Sequence, residues 1–257
     1  NYQVNVPSDF FLMTFTDLAP IGSFSAVSGN GPAVYRASQQ LDAWTLRPQE
    51  INILPNAIAN AADFSNRLGA GSIISIFGSG FQSPDAPTTL ELSGQPIPVF
   101  FSGPFQVNAA LPPDLSPGAY TLRLRNGFGE SSANLNLSDL APAIFTVGAN
   151  RGAVLNQNNS LNTPEQPGLR GQALIIFCTG LGAVSPQSSG LSSVLQPLTV
   201  SLSGRDLSPF FAGLAPGFIG LYQVNVLVPA LLPPGIDQPL SIRIAGLESN
   251  GVLVSLR

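Results

Sequence analysis

An internal repeat constrains the fold of this chain more than any other feature. The stretch Gly71–Phe81 (GSIISIFGSGF) recurs as Gly171–Leu181 (GQALIIFCTGL). Two further landmarks follow each copy in the same order. They are a Phe-Phe motif, at Pro98–Gly103 and Pro209–Gly213, and a Gln-Val-Asn motif, at Phe105–Ala109 and Tyr222–Val226. Three landmarks in one order, twice, predict two tandem repeats of about 100 residues each.

The Gln-Val-Asn motif occurs a third time outside both repeats, at residues 2–6 (YQVNV). Tyr2, Val4 and Val6 alternate with polar residues, which predicts a strand with one apolar face. Because the internal copies share this pattern, we expect the third copy to fit a sheet in the same manner. Such a strand can pair within its own chain, or it can add to the exposed sheet edge of another copy.

The composition favours many short strands joined by turns. Hydrophobic residues make up 44% and charged residues 9% of the 257 positions, whereas about 25% of a typical domain is charged. The apolar runs are short and are bounded by Gly, Pro, Asn and Ser, which is typical of strands. Tyr120–Arg125 (YTLRLR) alternates apolar and polar residues and predicts a half-buried antiparallel strand, and Leu240–Ile244 repeats that pattern.

These patterns predict an all-β protein with two tandem immunoglobulin-like β-sandwiches and an N-terminal β extension. We place the extension at residues 1–55, the first sandwich at 56–147 and the second at 148–257. Helix signals are weak, and a short helix around Ser38–Trp44 is the longest that we expect. The glycines of Gly78–Gly80 and Thr179–Gly182 follow strands without a subsequent helix or Lys, which favours turns or bulges over phosphate-binding loops.

The sequence lacks the residue types that most enzymes and metal sites require. It contains no His, no Lys and a single Cys, which removes the usual triad base, the commonest metal ligand and Schiff-base chemistry. The 14 acidic residues are dispersed, and most of them sit at turns. We therefore predict no enzyme, no catalytic residues and no bound metal or cofactor. Cys178 lies in an apolar run and is expected to be a buried, inert thiol.

Charge and hydropathy also narrow the range of partners. All ten basic residues are Arg and the formal net charge is −4, which disfavours nucleic acid and anionic membrane surfaces as partners. A membrane-spanning helix needs a run of about 18 apolar residues, and the sequence has none. We therefore predict neither nucleic-acid binding nor membrane insertion.

Several motifs that fall in register resemble those of a known family. They are, in chain order, Asn60–Phe64 (NAADF), Gly71–Phe81, Gln106–Asn108, Ala141–Thr146 (APAIFT), Thr179–Gly182 (TGLG) and Leu221–Val226 (LYQVNV). In this order they resemble an uncharacterised carboxy-terminal domain family first described in Solibacter and abundant in acidobacteria, over residues 56–257. The Gly71–Phe81 stretch is also similar to the opening of IPT/TIG-type immunoglobulin-like domains. The resemblance implies tandem immunoglobulin-like sandwiches on an exported bacterial protein, and it brings no catalytic residues.

We therefore interpret the chain as a non-enzymatic extracellular structural protein, a subunit of a surface filament whose copies join head to tail by strand addition. The donor segment is placed at residues 2–15. Its predicted interface residues are Tyr2, Val4, Val6, Phe10, Phe11, Leu12 and Phe15.

The alternative interpretation is a monomeric cell-surface adhesion or carbohydrate-binding module. Tyr35 and Trp44 would then supply an aromatic patch for surface glycans, because Tyr and Trp rings combine an apolar face with a polar edge. The chain begins at Asn1 rather than Met. We expect a mature chain at the cell surface whose export leader has been removed.

Overall fold

The computed structural model describes the backbone of residues 4–6, 12–14, 27–29, 35–40 and 43–48, and the backbone and side chains of residues 50–148 and 150–257. Strands and turns account for all regular structure in these ranges, which contain no helix. In three of the four sheets of the two repeats, strands pair antiparallel and one face of the sheet is buried. The all-β, immunoglobulin-like sandwich class expected from the sequence is thus confirmed.

Five short strands precede the first repeat. They are β1 (Val4–Val6), β2 (Leu12–Thr14), β3 (Val27–Gly29), β4 (Tyr35–Gln40) and β5 (Ala43–Pro48). β1 and β3 form a parallel two-stranded sheet, and β2, β5 and β4 form a three-stranded sheet in that order. The prediction of a helix around Ser38–Trp44 is wrong, because β4 and β5 pair as an antiparallel hairpin over this stretch. Pairing with a neighbouring strand outweighs the weak helical propensity of these residues.

The first repeat forms two four-stranded sheets. Its strands are β6 (Asn52–Asn60), β7 (Ile73–Ser79), β8 (Thr89–Leu92), β9 (Gln95–Ile97), β10 (Val99–Ser102), β11 (Gln106–Ala110), β12 (Gly118–Asn126) and β13 (Gly129–Leu137). One sheet has the order β10-β11-β7-β6 and the other β13-β12-β8-β9. Leu122 and Leu124 of β12 are fully buried, whereas Arg123 and Arg125 are exposed. The half-buried strand predicted from alternation at Tyr120–Arg125 is therefore confirmed.

The second repeat forms a larger pair of sheets. Its strands are β14 (Ala143–Ile144), β15 (Val154–Asn156), β16 (Ala173–Thr179), β17 (Val184–Pro186), β18 (Ser192–Val194), β19 (Leu198–Leu202), β20 (Arg205–Leu207), β21 (Phe211–Leu214), β22 (Tyr222–Leu227), β23 (Gly235–Ile244), β24 (Leu247–Glu248) and β25 (Val252–Leu256). One sheet has the order β14-β16-β22-β21-β18-β17, with β15 paired to β16, and the other has the order β20-β19-β23-β24, with β25 paired to β23.

The core of the second repeat lies between these two sheets. Leu174, Ile176 and Val224 come from the first sheet, and Val200 and Ile242 come from the second, and all five are fully buried in one apolar cluster. This shared core is what makes the pair of sheets a β-sandwich.

Contacts between residues divide the chain into two compact units. The first comprises residues 1–57, 76–107 and 121–133, and the second comprises residues 58–75, 108–120 and 134–257. The second unit therefore contains the whole of the second repeat together with three stretches of the first. The domain boundaries expected from the sequence stay a prediction.

Two equivalent glycines turn the chain at the same landmark of each repeat. Gly80 has φ +71° and Gly180 has φ +73°, in the left-handed region that favours glycine. A methyl group on Gly80 would lie 2.2 Å from the carbonyl oxygen of Glu50, and one on Gly180 would lie 2.1 Å from that of Ala141. The glycine-rich landmarks thus place a left-handed glycine beside a neighbouring backbone, directly after β7 and β16.

Candidate functional site

The predicted interface residues lie before the first repeat. Tyr2, Phe10, Phe11 and Phe15 are outside the described residues. Val4 and Val6 belong to β1, in which Val4 lies opposite Val27 of β3. Leu12 belongs to β2 and lies opposite Thr45 of β5. In the described part of the chain, β1 and β2 therefore pair outside the sheets of both repeats. The assembly role of these residues stays a prediction.

The two aromatic residues of the predicted ligand patch lie on one hairpin. Tyr35 begins β4 and lies opposite Pro48, and Trp44 of β5 lies opposite Gln39. Their backbone positions are four strand residues apart, about 13 Å at the usual rise of a strand. The hairpin therefore holds both residues but does not place their backbones side by side, and the patch stays a prediction.

The Phe-Phe motifs form a second candidate surface, which the sequence did not identify. Phe100 and Phe101 of β10 are 49% and 52% exposed, and Phe210, beside β21, is 64% exposed. Because successive side chains of a strand point to opposite faces, exposure of two adjacent Phe residues means that neither face of β10 is fully covered. The signal was present in the sequence, since strict alternation cannot bury both members of a Phe-Phe pair. The general preference of Phe for cores obscured it.

The two Phe-Phe strands differ in what lies beside them. β10 is the outermost strand of its sheet among the described residues, with β11 on its other side. The equivalent strand β21 has β22 on one side and β18 on the other. β18 belongs to the β17–β18 hairpin, which arises from the connection between Leu181 and Leu198. That connection covers residues 182–197, whereas its counterpart in the first repeat covers only residues 82–88.

The covering strand approaches β21 closely. Ser193 of β18 lies opposite Gly213 of β21. A methyl group on Gly213 would lie 1.8 Å from the carbonyl oxygen of Ser192, but one on the equivalent Gly103 meets only the tip of the Phe101 ring, at 3.0 Å, and the Gln106 carbonyl oxygen, at 3.8 Å. In both repeats the second Phe ring lies over the glycine two residues later, since Phe211 Cζ would be 3.1 Å from that methyl group. The backbone geometry is shared, and only β21 carries the extra neighbour.

The β10 edge differs from the other sheet of the first repeat in its lack of charged side chains. Residues 95–113 contain no charged side chain. In the other sheet, Arg125 donates from Nε to Glu130 Oε2 at 2.8 Å and lies 3.8 Å from Glu91. Charged side chains are a common protection against pairing between sheet edges. The β10 edge lacks this protection.

Within the second unit, buried hydrogen bonds join the two repeats' glycine-rich landmarks. The Ile73 N–H donates to Thr179 Oγ1 at 2.8 Å, and the Thr179 hydroxyl donates to the Gly220 carbonyl oxygen at 2.7 Å. The Gly182 N–H donates to the Ala70 carbonyl oxygen at 3.2 Å. The Tyr222 hydroxyl donates to the Gly182 carbonyl oxygen. Thr179 is fully buried, and its hydroxyl gives hydrogen-bond partners to backbone groups of two other segments.

Burial also suppresses the ionisation of two neighbouring groups. Desolvation raises the pKa of the Cys178 thiol well above its ordinary value. Desolvation, with a smaller contribution from Cys178, raises the pKa of the Tyr222 hydroxyl in the same direction. The burial expected for Cys178 is confirmed, and a raised pKa disfavours the thiolate, which is the reactive form.

The described residues hold no group of three or more His, Cys, Asp or Glu side chains that could bind a metal ion. No helix in the described ranges is long and apolar enough to span a membrane. The β10 edge is an uncharged strand edge with two exposed aromatic rings, and its chemistry suits backbone pairing and apolar contact.

No protein-family model matches the chain, and no characterised protein matches it by sequence. Among solved structures, it is similar to SGBP-B of the Bacteroides ovatus mixed-linkage glucan utilization locus, solved with a mixed-linkage heptasaccharide (14% identity, TM-score 0.34, covering 76% of this chain and 44% of that one). It is also similar to a tandem pair of titin immunoglobulin domains (13% identity, TM-score 0.24, covering 74% and 90%).

A third likeness is to SGBP-B from a complex xyloglucan utilization locus of Bacteroides uniformis (10% identity, TM-score 0.27, covering 80% of this chain and 49% of that one). The chain spans less than half the length of the two Bacteroides proteins. Likenesses at these identities concern the fold alone.

Proposed function

We propose that this chain is a non-enzymatic structural subunit of an extracellular filament, in which residues 2–15 of one copy add as a strand to a sheet of the next copy. Export of the chain is part of the proposal, and it is based on the resemblance to the acidobacterial domain family.

The observation that carries the proposal is the third Gln-Val-Asn strand. Its sequence (YQVNV) matches that of β22, the strand beside β21 in the second repeat. In the described part of the chain, residues 4–6 form β1 and pair with β3 in a sheet of only two strands. A two-stranded sheet is marginally stable at best in water. A strand that repeats an internal sheet strand therefore has more pairing to gain in a larger sheet.

The geometry of such an addition leads to a filament. A strand of one copy that enters a different surface of the next copy makes a heterologous contact, and heterologous contacts that do not close into a ring give open helical assemblies. The low charge of the chain removes most of the electrostatic repulsion that would keep copies apart.

Deletion of residues 1–15 tests the proposal. We expect the full chain to form filaments in electron microscopy and large species in sedimentation. The deleted chain should remain monomeric and keep the β-sheet circular dichroism signal of the two repeats. A full chain that is monomeric at high concentration, or filaments that persist after the deletion, would contradict it.

A matched pair of double variants distinguishes pairing through one face of the strand from nonspecific hydrophobic association. The double variant Val4→Ser and Val6→Ser removes the apolar face, and Gln3→Ser with Asn5→Ser changes the polar face by the same number of residues. We expect at least a tenfold rise in the critical concentration for the first variant and less than a twofold change for the second. Equal effects of the two variants would argue against a strand that binds through its apolar face.

The alternative function is a monomeric adhesion or carbohydrate-binding module at the cell surface. The hairpin of β4 and β5, which carries Tyr35 and Trp44 at backbone positions about 13 Å apart, favours it because that spacing suits two stacking positions along an extended glycan. Glycan-array binding that is lost in Trp44→Ala and kept in the neighbouring Thr45→Ala, with no polymer formed, would favour this alternative over filament assembly.

A further inference from the structure

We propose that the outer edge of β10, bearing Phe100 and Phe101, is the acceptor site for residues 2–6 of a second copy of this chain. The assignment rests on the proposed function, which requires an acceptor but does not say where it lies.

The pairing preference of the donor sequence points to β10. In the second repeat, Tyr222–Leu227 (YQVNVL) pairs antiparallel with the Phe-Phe strand β21, with Asn225 opposite Phe211 and Gln223 opposite Gly213. In the first repeat, β11 with its Gln-Val-Asn motif also neighbours the Phe-Phe strand β10. Both internal copies of the donor motif therefore lie beside a Phe-Phe strand. The third copy is expected to find the same kind of neighbour.

Among the described residues, β10 is the Phe-Phe strand with an open side. The second side of β21 is occupied by β18, whose Ser192 carbonyl oxygen is so close to Gly213 that not even a methyl group would fit. The corresponding side of β10 has no paired strand among the described residues. A donated strand would therefore take the place beside β10 that β18 takes beside β21.

The surface chemistry of the two partners is complementary. Residues 2–6 and residues 95–113 contain no charged side chain, so neither loses a hydrated charge on pairing. Phe100 and Phe101 are each about half exposed, and a strand laid against β10 would cover part of that ring surface. Backbone hydrogen bonds would hold the added strand, and its alternate side chains would select the edge.

A charge on the acceptor edge tests the site. Phe101→Lys places an ammonium group at the middle of β10, and charged residues on an edge oppose strand pairing. Ser132→Lys is the matched control, because Ser132 is exposed on β13, an edge strand of the other sheet. We expect filaments to disappear in Phe101→Lys and to persist in Ser132→Lys. Filaments that persist in Phe101→Lys, or that vanish equally in both variants, would overturn the assignment.

Mixing two variants that do not assemble alone shows whether loss of filaments is due to misfolding. The chain without residues 1–15 retains the acceptor edge, and the Phe101→Lys chain retains the donor strand. We expect each alone to be monomeric and a 1:1 mixture to sediment as a dimer that does not grow. Absence of that dimer would overturn the β10 site.

A labelled peptide of residues 1–15 gives a third measurement on the deleted chain. We expect it to bind that chain at least tenfold more tightly than the deleted chain with Phe101→Lys, while Ser132→Lys has no effect. Equal binding to all three chains would overturn the β10 site. If the full chain never forms filaments, the proposed function fails, and this is a different result from filaments that survive the β10 variants.

Discussion

Thr179 shows how one hydroxyl group serves two backbone segments in the second unit. It accepts a hydrogen bond from the Ile73 N–H and donates one to Gly220 while fully buried. We predict that Thr179→Val, which keeps the shape and removes the hydroxyl, lowers the free energy of unfolding by about 1–3 kcal/mol, because two buried backbone groups lose their partner. Thr199→Val in β19, at a half-buried position, is the control and should change it by less than about 0.5 kcal/mol. Urea denaturation measures both, and equal losses would contradict this role.

Burial of Cys178 and Tyr222 leads to a prediction for how the free energy of unfolding depends on pH. Their folded-state pKa values lie above the ordinary ones, so above about pH 9 the unfolded chain releases protons that the folded chain retains. The stability present at neutral pH should therefore fall with a slope approaching 1.4 kcal/mol per pH unit for each group, first for the thiol and then for the phenol. Urea denaturation between pH 7 and pH 11 measures it. The double variant Cys178→Val and Tyr222→Phe should have a shallower slope, and an equally steep slope would contradict the account.

At the scale of elements, the contrast between β10 and β21 predicts unequal costs for equivalent substitutions. Gly213→Ala would drive a methyl group into the Ser192 carbonyl oxygen of β18, whereas Gly103→Ala would displace only the tip of the Phe101 ring. We predict a loss of at least about 2 kcal/mol for Gly213→Ala and of less than about 1 kcal/mol for Gly103→Ala. Thermal denaturation of the two variants checks this, and a similar loss for both would mean that β10 is covered like β21.

Strands with one buried face could be predicted from the sequence by their alternation of apolar and polar residues. Alternation at Leu122 and Leu124, and again at Leu240 and Ile242, marks the core-facing positions, all four of which are buried. Two strands of the first repeat escaped prediction for local reasons. β6 runs through Pro55, which strands tolerate at an edge position such as that of β6, and β9 is only three residues long.

At the scale of the whole molecule, the repeat predicted the sandwich fold, but the open edge could not be predicted. Whether a Phe-Phe strand is outermost depends on the preceding connection, residues 82–88 in one repeat and 182–197 in the other. Only the longer one forms the hairpin β17–β18 that covers β21. Periodicity describes single strands and carries no information about their neighbours, so the sequence did not show that β10 is the outermost strand.

The most direct measurement of the central claim is a disulfide between copies. We propose that the donor aligns with the outer edge of β10 as its internal copy aligns with β21, with Asn5 of one copy opposite Phe101 of the next. Opposite residues of paired strands are close enough for a disulfide. Native Cys178 is buried and should not take part. Under mild oxidation, the variant Asn5→Cys with Phe101→Cys is predicted to give a ladder of covalent oligomers on a non-reducing gel, while Asn5→Cys with Glu130→Cys stays monomeric. A single monomer band for the first variant, or the same ladder for both, would contradict strand addition at β10.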